Sequence, residues 1–178
     1  MRIGVCVMRI ARKIAATAVV AVLVGAVGGG VAQASPKASP GGHGAPSACR
    51  PANHIAKIKP SPASSGHRHY RVTLTAARGY GDCALAGSPT EVRFSHHGSP
   101  SRVSAGHYGA QSQAVKFGPG HPVHFDIQVP NGGAGAAADE ASFSLRTPGG
   151  GVIPGRSTAD GQLRVAPGTV IGPVQPGA

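Results

Sequence analysis

The side chains able to do chemistry in this chain are three cysteines, nine histidines and six carboxylates. His67 and His69 stand at i, i+2, which puts both rings on one face of a strand. That pair suits a Zn²⁺ or Cu²⁺ ion if a third ligand joins from His96, His97, His107, His121 or His124. Tyr70, Val72 and Leu74 take the opposite face of the same strand, so two surface histidines also explain the pair, and no cofactor is expected. Nucleophilic catalysis needs a Ser, a base and an orienting group; no G-x-S-x-G occurs, and abundant Ser makes chance Ser/His/Asp sets inevitable. Asp139-Glu140, the one close pair among Asp82, Glu91, Asp126, Asp139, Glu140 and Asp160, sits in a Gly/Ala-rich stretch that reads as a solvated loop rather than a glycosidase site. Phosphate-cradling loops, H-E-x-x-H and EF-hand patterns are missing too. An extracellular hydrolase is therefore the weakest alternative, and no enzyme is expected.

Cys6 precedes an apolar run over residues 14–27, itself preceded by Arg9, Arg12 and Lys13 and followed by Ala32-Gln33-Ala34. A basic start, a short apolar core and an A-x-A site make a secretory leader over residues 1–34, cleaved before Ser35 at Ala32 and Ala34. Met8-Arg9 restates Met1-Arg2, so a start at Met8 would give a more ordinary positively charged leader. Cleavage leaves Cys49 and Cys83 in an oxidising compartment, where one disulfide is the default reading. Two reduced thiols at a metal or active site is the alternative. The expected location is secreted, extracellular or cell-wall associated, with no stable membrane span after cleavage.

These residues need a scaffold, and the composition restricts it. Twenty-eight Gly and 16 Pro with few helix formers favour short strands and turns. Residues 35–48 form a Pro/Gly/Ser-rich linker, residues 49–166 the domain, and residues 167–178 a flexible Gly/Pro tail. Ile55 and Ile58 mark a first strand. Tyr70, Val72 and Leu74 alternate clearly, and Val123, Phe125, Ile127 and Val129 alternate best, with His124, Asp126 and Gln128 outward. Short strands at 92–94, 114–117, 142–146 and 162–165 bring the total to about seven, an all-β sandwich.

Removing the leader's four basic residues leaves 13 Lys/Arg against six acidic residues, a net charge of +7. Such an excess favours anionic cell-wall polymers, or another surface protein with acidic patches. Lys57, Lys59, Arg68 and Arg71, in the first two strands, are the expected anion-binding residues. Nucleic acid is not expected, because exposed aromatics to interleave with the basic residues are too few.

Cys49, the alternating strand, and then Gly81-Asp82-Cys83-Ala84-Leu85-Ala86-Gly87-Ser88-Pro89 leading into Val92-Arg93-Phe94 together resemble domain-of-unknown-function family 4232 of secreted actinobacterial proteins. Pro119-Gly120 before the strand at 123–129 is similar to that family's later turn. The chain departs from the pattern at Ala76-Ala77 and at Ser88. The resemblance implies an immunoglobulin-like β-sandwich exported behind a flexible linker, and brings no catalytic residues with it.

Overall fold

The structure, a computed structural model, describes residues 44–64, 66–132 and 135–178. The expected leader with Ala32, Ala34 and Ser35, and most of the expected linker, lie outside the described residues.

A 3-10 turn at Pro51–Asn53 precedes twelve strands among the described residues: β1 (His54–Ser64), β2 (His67–Ala76), β3 (Cys83–Ala86), β4 (Thr90–His96), β5 (Ser99–Pro100), β6 (Gly106–His107), β7 (Ala114–Phe117), β8 (Val123–Pro130), β9 (Ala136–Ser144), β10 (Ser157–Val165), β11 (Val170–Ile171) and β12 (Gln175–Pro176). Ten of them make one curled sheet in the order β5-β4-β9-β10-β1-β2-β8-β11-β6, with β12 also on β8, and β3 and β7 form a second, two-stranded sheet. The chain is thus all-β and sandwich-like as expected, but its layers are unequal and its strands outnumber the expected seven.

Two adjacent rows of the large sheet show how sequence becomes architecture. Ser95, Glu140, Asp160, Lys57, Thr73, His124 and Gln175 follow one another across β4, β9, β10, β1, β2, β8 and β12. One residue along each strand, the row becomes Phe94, Ala141, Ala159, Ala56, Leu74 and Val123, all 2% exposed or less. A period of two sends successive side chains to opposite faces, so one row is polar and on the outer face, where the C-terminal strand covers the otherwise outward His124, and the next is core. Leu85, Val115 and Phe117 of the small sheet cover that core. All four Phe are buried in it, and Phe125 meets Phe143 edge-on at 5.1 Å between centroids.

Three expectations need correction. Ile55 faces outward and is 64% exposed, because Ala56 and Ile58 take the inward positions of β1. The stretch expected as a loose loop to Ala138 is strand from Ala136, since Ala136, Ala137 and Ala138 pair with Val165, Arg164 and Leu163. The expected flexible tail is folded: Val170 and Ile171 pair with Gln128 and Ile127, Gln175 and Pro176 with His124 and Val123, and Ile171 and Val174 are buried. β8 left a hydrogen-bonding edge open, and the tail fills it.

β10 bulges between Asp160 and Leu163 beside its parallel partner β1. Gly161 makes this approach feasible, because a Cβ there would run into the backbone carbonyl of Ile58, and its φ is +152°.

Candidate functional site

Lys57, Lys59 and Arg71 project from the outward face of β1 and β2, where Lys59 stands directly opposite Arg71 and Lys57 opposite Thr73. With Pro60, Thr73 and Thr75, and with Ala178 at the edge, they line a shallow trough of about 490 Å³. Two of the cations have carboxylate partners: Lys57 Nζ lies 3.0 Å from Asp160 Oδ2, and Arg71 Nε lies 3.5 Å from Asp126 Oδ1. Among the described residues Lys59 has no ion-pair partner. Like charges directly opposite each other on an antiparallel pair are destabilising, and Lys59 against Arg71 is such a pair. Arg68 does not join them. It stands at the inward register of β2, opposite Val129, and its guanidinium reaches the Pro130 carbonyl at 3.5 Å.

The expected histidine site is rearranged. His67 and His69 do share a face, with ring centroids 6.5 Å apart, and His69 Nε2 lies 2.7 Å from Ser64 Oγ. No third metal-ligating residue joins them among the described residues; the group that does assemble is His96, His97 and Asp139. His96 ends β4, His97 and Gly98 form the two-residue hairpin into β5, and Asp139 lies on β9 one step beyond the Ser95–Glu140 pair. Asp139 Oδ2 is 3.2 Å from Nδ1 of both rings, whose centroids are 4.0 Å apart, and its carboxylate accepts the His97 N–H. That amide bond, followed by the charges of His96 and His97, holds the Asp139 carboxyl below its ordinary range. Its neighbour Glu140 accepts a hydrogen bond from Ser95. The pair that reads as a solvated loop therefore belongs to a strand, and its Asp139 faces two histidines some forty residues away.

Several other polar groups hold the fold. Cys49 and Cys83 are joined by a disulfide, beside a cleft of about 820 Å³ walled by Pro51, Pro148, Ile153 and Pro154. Arg156 secures the irregular start of β4 by donating to the carbonyls of Glu91 and Ser142. Lys116 pairs with Asp82 at 2.8 Å and lowers that carboxyl. His54 lies 2.8 Å from the Ala48 carbonyl and 2.9 Å from Ser157 Oγ, but its orienter is a carbonyl rather than a carboxylate and Ser157 is buried, so no substrate reaches this Ser–His pair.

Two positions of the segment carrying the family resemblance have a clear physical role. Gly87 sits at φ +68° where a Cβ would collide with the Gln111 backbone. Ser88 is buried, donates to the Ile171 carbonyl and receives Gln111, tying the small sheet to the C-terminal strands. No curated protein and no solved structure matches the chain. A family model does match, described as a domain of unknown function (DUF4232), over residues 49–174, from the first disulfide cysteine through the buried Val174. That match spans well over half of the chain, which therefore belongs to this family.

Proposed function

We propose that the protein is an exported, non-catalytic β-sandwich module that holds anionic polymers of the cell envelope in the trough of β1 and β2. The observation that carries this reading is Lys59 opposite Arg71: two cations in direct register, one without a carboxylate partner among the described residues, on an outward face lined by threonine hydroxyls. An anion laid along the trough relieves their repulsion, and Thr73 and Thr75 can donate to its oxygens. The charge surplus raises the local concentration of such polymers before contact. Export is supported by the leader pattern of residues 1–34 and by the disulfide, which belongs to oxidising compartments. No helix among the described residues is long and apolar enough to cross a membrane.

Co-sedimentation of the purified protein with isolated cell walls tests the reading. Reversing Lys57, Lys59 and Arg71 to Glu together should abolish retention, while Arg68→Gln leaves it intact. Retention that survives the triple reversal, or that depends on Arg68 instead, refutes the trough.

A further inference from the structure

We propose that His96, His97 and Asp139 form a binding site for a divalent transition-metal ion at the β4–β5 hairpin, separate from the anion trough. Three features of the structure support it.

The first is donor spacing. Ligands held about 2.0–2.2 Å from a tetrahedral ion lie roughly 3.3–3.6 Å from one another. Asp139 Oδ2 stands 3.2 Å from each of the two Nδ1 atoms, and all three donors lie within 4.8 Å of one another.

The second is the state of the nitrogens. His96 Nδ1 is shut off from solvent, yet it makes no hydrogen bond among the described residues, although Asp139 Oδ2 is near. The two rings stand with centroids 4.0 Å apart over one carboxylate that already accepts a backbone N–H. A metal ion fits this arrangement, because it can take a lone pair from each imidazole and from the carboxylate at once.

The third is the backbone. His97 has φ +48° and Gly98 has φ +77° in a two-residue hairpin. Such turns favour Asn-Gly or Gly-Gly, whose residues enter the left-handed region readily. A histidine there is uncommon, and the Asp139 carboxylate holds it by its amide at 3.0 Å.

Two imidazoles and one carboxylate suit Zn²⁺, Cu²⁺ or Ni²⁺, whereas Ca²⁺ and Mg²⁺ require mostly oxygen ligands. His97 is 79% exposed, so coordination positions stay open to water or to a donor from another molecule.

Calorimetric titration of tag-free, chelator-stripped protein with Zn²⁺ tests the site. One ion per chain is expected, with no binding of Ca²⁺. His96→Ala and His97→Ala should each weaken Zn²⁺ by about tenfold or more through loss of a ligand, and the His67→Ala/His69→Ala double variant should leave it unchanged. Because Asp139 also ties the His97 amide, its variant tests turn and site together. Nitrogen NMR of the wild-type rings avoids that ambiguity: Zn²⁺ should shift His96 and His97 Nδ1 first. Absence of binding, binding indifferent to His96 and His97, or first shifts at other histidines overturns the proposal.

Discussion

Removal of the Cys49–Cys83 bridge is the perturbation whose size follows most directly from the structure. The cysteines are separated by 34 residues in sequence. Chain entropy for a loop of that length gives about 12–13 cal/mol/K, or about 4 kcal/mol at 25 °C. The bridge also fastens the segment before β1: Ala48 donates to the Gly81 carbonyl and Gly81 to the Pro46 carbonyl, so the entry strand and the turn before β3 are held at the same place. A Cys49→Ala/Cys83→Ala variant should lose about 4 kcal/mol in urea unfolding and melt roughly 10–15 °C lower, given the few degrees per kcal/mol typical of a domain this size. Its m-value should rise, because the unbridged chain unfolds to a less compact ensemble that exposes more surface. A loss under about 1 kcal/mol would refute the reasoning, by showing that the unfolded chain is already constrained or that the hydrogen bonds to Gly81 hold the segment alone.

Other perturbations separate backbone, charge and protonation effects. Gly161→Ala should destabilise by about 2 kcal/mol or more in urea, because its Cβ meets the β1 backbone; Gly132→Ala, with nothing within 4 Å, should be close to neutral. Lys59→Ala should leave thermal stability unchanged or raise it by a few tenths of a kcal/mol, since it removes a like-charge neighbour from β2; a clear loss would mean Lys59 supports the fold. Burial lowers the His54 pKa below its ordinary 6.5, against the pull of the Ala48 and Arg50 carbonyls. The unfolded chain thus binds the proton more tightly, and this contribution is present above pH 6.5 and lost as pH falls from there through the folded value. Urea midpoints measured from pH 8 to 5 should show that loss in the parent and a flatter profile in His54→Gln. Asp82 and Asp139, whose pKa values are lowered from 3.8, contribute stability that disappears only as pH falls below that value.

The sequence made legible what alternation and local pairing determine. Val123, Phe125, Ile127 and Val129 occupy the core as their period of two requires, and Tyr70, Val72 and Leu74 do the same on the neighbouring strand. Cys49 and Cys83, the two cysteines expected to remain in the domain, have one possible partner each, and they are bonded. Less legible was anything settled by a distant strand. Ala136 to Ala138 have no pattern of their own, and become strand because β10 supplies hydrogen bonds. The tail is too rich in Gly and Pro to suggest strands, but the free edge of β8 orders it. Arg68 has the same charge as Arg71, yet the odd spacing of three residues on β2 sends it to the opposite face. Asp139 and His97, 42 residues apart, meet because β9 pairs with β4. His-His-Gly before a β-compatible pair was the local hint of a hairpin; nothing local pointed to the carboxylate across from it.

The central claim is that anion binding belongs to one trough and not to a diffuse positive surface. Binding of the purified protein to isolated cell walls, measured as an isotherm from about 20 to about 400 mM salt, tests it most directly, because screening at about 0.1 M already limits exposed charges to roughly 10 Å. The account predicts tight binding at low salt that falls steeply as salt rises, strong weakening by Lys59→Glu, and little change from Arg78→Glu, an exposed cation away from the trough. Equal weakening by the two reversals, or no binding at the lowest salt, would contradict it.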